Sequence, residues 1–254
     1  MEIVALASGS KGNSLYVKSG KTAVLLDVGL SAREIERRMA LVGALPADLS
    51  AILVTHEHTD HIRGVGPLAR RYDLPVYMTE RTYQAAEDAV GRLPRIECID
   101  PETPFEIGVL WFSPFLISHD AVEPLGFAFT DGVLKVGVAT DLGVVTHLVR
   151  EQMRGAHVAI VESNHDPDML MEGPYPWDLK QRIRGRKGHL SNPTATKFVE
   201  TLYHSDLERV VLAHLSEINN TPETALACLA GLPGCRLDRE QVVVARPDRP
   251  VRVL

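Results

Sequence analysis

The stretch that most constrains this chain is an apolar run at 51–55 that empties into His56-Glu57-His58-Thr59-Asp60-His61. The run reads as a buried strand, and the cluster after it lies on a strand-to-helix loop. Loops at strand ends let polar groups converge without disturbing the core, so the placement suits a site. Three imidazoles and a carboxylate in the pattern His-x-His-x-Asp-His are a metal-binding set. The pattern is not the His-Glu-x-x-His of a zinc-binding helix, because position 60 is Asp where that motif requires a second His. One ion cannot easily use all four side chains. A closely spaced pair of ions can, with two ligands on each and the rest recruited from elsewhere. The competing readings are a polar surface loop and a single structural zinc; structural zinc usually draws on cysteine, and none is near.

The rest of the chain alternates apolar runs with turns. Strands are expected at 2–7, 15–18 and 23–27, with the Ser8-Gly9-Ser10-Lys11-Gly12-Asn13-Ser14 turn between the first two. Ser31 and Glu34 form a capping box for a helix carrying Ile35, Met39 and Val42 and ended by Gly43. A strand at 75–78 leads to a helix capped by Thr79 and running to about residue 90. A second meander is expected over 105–107, 109–113 and 116–118, then strands at 127–130 and 134–139 around the Asp131-Gly132 turn. A buried strand at 158–162 precedes the least regular part, 163–192, which is too long for a purely structural connection. Asn192-Pro193 opens a helix to about residue 204, a strand follows at 209–213, and Thr221-Pro222 opens another helix. Two meanders flanked by helices predict an α/β fold of two mixed sheets packed face to face with helices outside. No domain boundary is evident, so 1–254 is read as one domain.

Three further candidates follow apolar runs as His56 does: His119, Asp141 and His214. Singly, each is explained as a hydrogen-bonded residue at a strand end. With the first cluster, they are what a two-metal site lacks.

Composition bounds the partners. The net charge of -6 excludes a protein that coats nucleic acid by bulk charge, so a polyanion must be held by a local patch or a metal. Cys98, Cys228 and Cys235 are odd in number and contain no Cys-x-x-Cys pair, which suits a reducing compartment. No signal peptide and no apolar run of membrane-spanning length is found, and the cytoplasm is the expected location.

In this residue set and order the chain resembles the metallo-β-lactamase superfamily, from residue 1 to about 221. The resemblance implies a four-layer αββα metallo-β-lactamase sandwich. It also implies two divalent ions: one on His56, His58 and His119, the other on Asp60, His61 and His214, with Asp141 bridging. Aspartate at 141, where many β-lactamases carry cysteine, makes an oxygen-richer set that accepts zinc and/or manganese. Ser118-His119-Asp120 followed by Glu123-Pro124-Leu125-Gly126-Phe127 is similar to the tRNA-processing and DNA-nuclease branches. Glu162-Ser163-Asn164-His165-Asp166, Gly188-His189-Leu190-Ser191-Asn192, Leu215-Ser216-Glu217-Ile218-Asn219-Asn220 and the 8–14 turn resemble the YycJ/WalJ-like branch, associated with exonuclease activity on DNA.

That resemblance implies a 5′-to-3′ DNA exonuclease using a hydroxide activated by two metals. Asp60 and Asp141 would orient the hydroxide and His189 would assist the leaving group. The alternatives are a tRNA-processing endoribonuclease, a hydrolase of small esters, thioesters or lactams, and a non-catalytic module on the same scaffold. For substrate contact, Lys180, Arg182, Arg184, Arg186 and Lys187 precede His189 and could steer a phosphate backbone, against the reading of a solvated helix end. Ser8, Ser10 and Asn13 of the turn, and Ser191 and Asn192 of the later motif, complete the expected substrate-binding set. His147, His157 and His204 are read as surface or packing residues. His165 and Asp166 receive no role, and the oligomeric state is left open.

Overall fold

A computed structural model describes residues 1–231 and 237–254, which leaves Cys235 outside the described residues. The first sheet is built from β1 (Glu2–Ala7), β2 (Ser14–Ser19), β3 (Thr22–Leu26), β4 (Ala51–Leu53), β5 (Pro75–Met78), β6 (Arg95–Cys98) and, from the far end of the chain, β14 (Val251–Arg252). Its order is β14-β1-β2-β3-β4-β5-β6. The second uses β7 (Phe105–Ile107), β8 (Leu110–Leu116), β9 (Leu125–Thr130), β10 (Lys135–Ala139), β11 (Val158–Glu162), β12 (Arg209–Ala213) and β13 (Val242–Val244), in the order β13-β12-β11-β10-β9-β8-β7. Each sheet begins as an antiparallel meander and continues in parallel, over β3-β4-β5-β6 and over β10-β11-β12-β13.

Alternation along the strands makes the layers. On β1, Ile3 and Ala5 enter the core between the sheets, while Val4 and Leu6 pack under helices. On β12, Val211 and Ala213 face the inter-sheet core, and Val210 and Leu212 the opposite helices. Strands covered on both faces have no polar side to display, which is why they read as continuous apolar runs. Phe112, Phe127 and Phe129 fill the middle of the inter-sheet core. Helices α1 (Ala32–Leu41), α2 (Thr59–Ile62), α3 (Val65–Tyr72) and α4 (Glu80–Val90) accompany the first sheet. Helices α5 (His147–Met153), α8 (Asn192–Leu202) and α9 (Pro222–Ala230) cover the second, after α6 (Pro167–Glu172) and α7 (Trp177–Arg184). The four-layer αββα sandwich follows.

Several elements differ from the sequence expectation. The strands expected at 109–113 and 116–118 are one, β8, running through Pro114. β7 pairs with β8 only as far as Phe112, so beyond it β8 has an unpaired side on which a missing N–H is tolerated. The connection 163–192 contains α6 and α7, and His165 bridges Ser191 across its base. Ser31 caps α1 as expected, accepting from the Glu34 N–H, but the Glu34 carboxylate turns to Arg37 and Arg38 and does not close the box.

Candidate metal centre

Parallel strands end together, and the loops after them converge. Asp27 follows β3, His56 follows β4, Asp141 follows β10, Glu162 closes β11 and His214 follows β12. β8 runs in the same direction as β10, two antiparallel steps away, and delivers His119. Asp27, Asp141 and His214 have φ of 63°, 59° and 55°. This left-handed backbone is uncommon outside glycine, although Asp and His tolerate it better than most, and it costs about 1–3 kcal/mol where it occurs. Three such residues at one rim mark a place where side-chain direction outweighs backbone comfort.

The residues expected from sequence do meet. His56, His58 and His119 bring ring nitrogens within 4.8 Å of one another, as do Asp60, His61 and His214 their ligand atoms; His56, His61 and Asp141 form a third such group. Asp141 therefore stands between the two sets. The side chains are oriented from behind. Thr55 Oγ1 lies 2.9 Å from His56 Nδ1, and Asp27 Oδ2 lies 2.8 Å from His61 Nδ1. Asp27 also accepts from the Thr55 N–H and hydroxyl at 2.8 and 2.9 Å. The Gly188 carbonyl sits 3.3 Å from His119 Nδ1. In each case the nitrogen facing the protein is engaged and the other faces the centre, the usual support of metal-binding histidines.

What the centre leaves unpartnered tests whether ions fit. His56 Nε2, Asp141 Oδ2 and His214 Nε2 are buried without a hydrogen bond. Buried polar atoms are rarely orphaned, and three at one rim, all good ligand atoms, suit cations there. Electrostatics agree. Burial pushes His56 well below the ordinary histidine range and lowers His119, so both offer lone pairs. Burial works the same way on His214, yet Asp141, Asp60 and Glu162 overcome it and lift its pKa to about 10. For His61, Asp141 and Asp27 outweigh burial and raise it well above the usual value. Protons on these two rings answer a carboxylate charge that metal ions would otherwise balance.

Glu162 receives no role in the sequence expectation, where it stands only at the head of the 162–166 motif. It is fully buried and accepts five N–H donors: Oε1 from His189 Nδ1 and His214 Nδ1, both at 2.8 Å, and from Asp141 N at 3.3 Å; Oε2 from Leu142 N at 3.2 Å and Leu190 N at 2.9 Å. Burial opposes its charge, but His189 and His214 hold its pKa down at about 2. His189 gains from the same pairing: burial disfavours its protonated form, and Glu162 outweighs burial to raise its pKa. Its signal in the sequence is an acidic residue at the end of an apolar run, the position shared by Asp27 and the ligands.

The expected substrate contacts divide. Ser10 and His189 line a cavity of about 180 Å3 with Asn164, Tyr175 and Ile183. Arg186 and Lys187 are exposed. Ser8 and Asn13 contact residues of the candidate metal sets: Ser8 Oγ accepts from His214 N at 2.7 Å, and Asn13 Nδ2 lies 3.2 Å from Asp60 Oδ2. The turn also grips α2 by its backbone, through Asn13 N to Asp60 O at 2.8 Å. Gly29 is required beside it, since a Cβ there would stand 1.7 Å from Asp60 O. Asn192 is fully buried and exchanges amide hydrogen bonds with Asn220 while accepting from Ser163 Oγ, which removes it from any substrate-facing surface. Ser191 Oγ lies 3.0 Å from Thr194 Oγ1 at the start of α8. Of the basic run, Arg182 binds Asp120 and Lys180 the Met171 carbonyl. Asp166 is the N-cap of α6, and His165 is buried, with its pKa pushed down to about 4 by that burial.

Comparison with known proteins agrees with this architecture. Residues 22–215 match a family model described as a beta-lactamase superfamily domain. The chain is 41% identical over 226 residues to Exodeoxyribonuclease YycJ of Bacillus anthracis, covering 87% of this chain and 84% of that one. It is 38% identical over 226 residues to Exodeoxyribonuclease WalJ of Streptococcus pneumoniae, covering 87% and 83%. The solved structure of the metallo-beta-lactamase fold protein YhfI from Bacillus subtilis covers 99% of this chain and 98% of its own, with a TM-score of 0.76 at 18% identity, a likeness of fold. The chain belongs to the metallo-β-lactamase superfamily, in the branch of the YycJ and WalJ proteins.

Proposed function

We propose that this protein is a phosphodiesterase dependent on two divalent ions and acting on DNA from an end, as a 5′-to-3′ exonuclease. The observation that carries the chemistry is the Glu162–His189 pair, 2.8 Å apart, beside the two ligand sets. The names of the YycJ and WalJ relatives carry the substrate. His56, His58 and His119 would hold one ion and Asp60, His61 and His214 the other, with Asp141 standing between the two sets. Bound there, the ions, zinc and/or manganese, would supply the Lewis acidity for activating water and offsetting phosphate charge. The protein does the rest. Asp60 and Asp141 orient the attacking water. Glu162 keeps the proton on His189 Nδ1, so that Nε2 can deliver its own proton to the departing oxygen. Arg186 and Lys187 draw the phosphate backbone toward the centre.

We read residues 1–254 as one domain, which the pairing of β14 with β1 supports. The free thiols of Cys98 and Cys228 suit a reducing cytoplasm. No helix of the described residues is long and apolar enough to cross a membrane.

A substrate panel tests the reading: 5′-phosphorylated single-stranded and duplex DNA, precursor tRNA, and chromogenic esters and lactams, with zinc and with manganese. Release of mononucleotides from DNA is expected. Turnover of the esters or lactams alone would reject the phosphodiester reading.

A further inference from the structure

His214 is held unusually tightly for a residue at a strand end. It follows β12 with φ of 55°, a left-handed turn that a residue with a side chain keeps only where its surroundings impose it. Both of its backbone groups are taken by side chains. The His214 N–H donates to Ser8 Oγ at 2.7 Å, and its carbonyl accepts from Asn164 Nδ2 at 2.9 Å. Glu162 Oε1 holds the ring through Nδ1 at 2.8 Å. Among the described residues, Nε2 has no hydrogen-bond partner, and it lies 3.7 Å from Asp60 Oδ2. Every polar atom of His214 is thus tied except the one that joins Asp60 and His61 in the second ligand set.

The two side chains that grip the peptide come from different sheets, Ser8 after β1 and Asn164 after β11, and both are buried. Ser8 opens a turn whose far end meets the rest of the set. Asn13 N donates to Asp60 O at 2.8 Å, and Asn13 Nδ2 lies 3.2 Å from Asp60 Oδ2 and 3.1 Å from His61 Nε2. One short turn therefore touches all three residues of the set. Asn164 is fixed in its own place by a buried amide network. Its carbonyl accepts from Ser216 N at 2.8 Å and from Asn220 Nδ2 at 3.1 Å, and the Asn220 amide exchanges hydrogen bonds with Asn192. The 162–166, 188–192 and 215–220 motifs meet in this network, and a fully paired polar network rigidifies what it holds.

We propose that Ser8 and Asn164 are positioning residues: they hold the His214 peptide in its left-handed turn and so keep Nε2 within reach of Asp60 and His61, where the second ion would bind. This rests on the two-ion reading above and adds that the affinity for the second ion depends on these two buried side chains.

The test uses full-length protein stripped of metal and titrated with zinc against a chromophoric chelator, with native mass spectrometry counting the ions bound. Wild type should take two ions, and His214→Ala, which removes the ligand itself, defines the one-ion species. Ser8→Ala leaves the His214 N–H without an acceptor, and Asn164→Ala leaves its carbonyl without a donor. Each should weaken the second ion about 10–100-fold and leave the first nearly unchanged. Ser8→Thr and Ser8→Val match in shape and differ in the hydroxyl, so the Thr form should bind the second ion more tightly. Circular dichroism reports folding; should Asn164→Ala fail to fold, the Ser8 series decides alone. Two ions held at wild-type affinity in the folded Ala variants would overturn the proposal, as would equal weakening of both ions or equal affinity in the Thr and Val forms. A raised KM for DNA with both ions retained would move Asn164 to the substrate and overturn its role here. A wild type that binds fewer than two ions would bring down the two-ion reading and this proposal together. The expected metal pattern without cleavage of DNA would leave the positioning roles standing and remove the nuclease.

Discussion

Glu162→Gln keeps the shape of the side chain and removes its charge. The carboxylate accepts three N–H donors on Oε1 and two on Oε2, all buried. Whichever way the amide turns, its NH2 group faces at least two of those donors. At about 1–3 kcal/mol for each buried group left unsatisfied, the variant should lose about 2–6 kcal/mol of stability. The shift of the Glu162 pKa from 4.5 to about 2 gives a consistent figure of roughly 3 kcal/mol. The sign of the pH dependence follows, because a carboxyl with a depressed native pKa stabilises above its unfolded value. The gap between wild type and variant should therefore be full at pH 7 and shrink as pH falls from about 4.5 to about 2. Urea denaturation of the metal-stripped proteins at several pH values measures it. With metal restored, kcat on DNA should fall roughly 10²–10⁴-fold. The alkaline limb of the rate profile should move to lower pH, because Glu162 is what holds the His189 pKa up. A stability loss under about 1 kcal/mol at pH 7, or one that does not change with pH, would refute the role given to Glu162.

Three other substitutions probe separate links. Asp27→Ala should leave the fold intact and weaken metal affinity about 10–100-fold, read by competition with a chromophoric chelator, because His61 loses the group that orients it. Gly29→Ala forces a Cβ against Asp60 O and should cost about 1–3 kcal/mol while lowering metal affinity, since relief requires moving α2. Asn192→Ala should destabilise by about 1–3 kcal/mol in thermal or urea unfolding and leave KM for DNA unchanged; a raised KM with normal stability would return Asn192 to the substrate-binding set.

The candidate ligands are legible in the sequence in two ways: His58, Asp60 and His61 crowd directly after His56, and the others each follow an apolar run whose end a layered fold brings to one rim. His56, His119, Asp141 and His214 were readable on that ground, and the fold's layers followed from the same runs. The supporting shell was harder to read. Asp27 and Glu162 also end apolar runs, but an isolated acid at a strand end is a common sight, and only their contacts to His61, His189 and His214 separate them from it. β6 was missed because an edge strand carrying Arg95 and Glu97 has no buried face to give it period. α7 was hidden by its Pro- and Gly-rich flanks and by the absence of an apolar stripe. Asn192 entered the expected substrate-binding set through the resemblance of the 188–192 motif, whereas its amide, able to donate and accept at once, serves a buried network with Ser163 and Asn220.

The catalytic roles proposed for this rim depend on the metal. Native mass spectrometry of the purified protein, run beside a DNA-cleavage assay before and after chelation, should find two divalent ions per chain. Nuclease activity should vanish on stripping and return with zinc or manganese. Asp141→Asn should bind fewer than two ions and lose activity while remaining folded. A protein that carries no ion yet degrades DNA, or one that keeps full activity in the Asp141→Asn form, would contradict the two-metal centre.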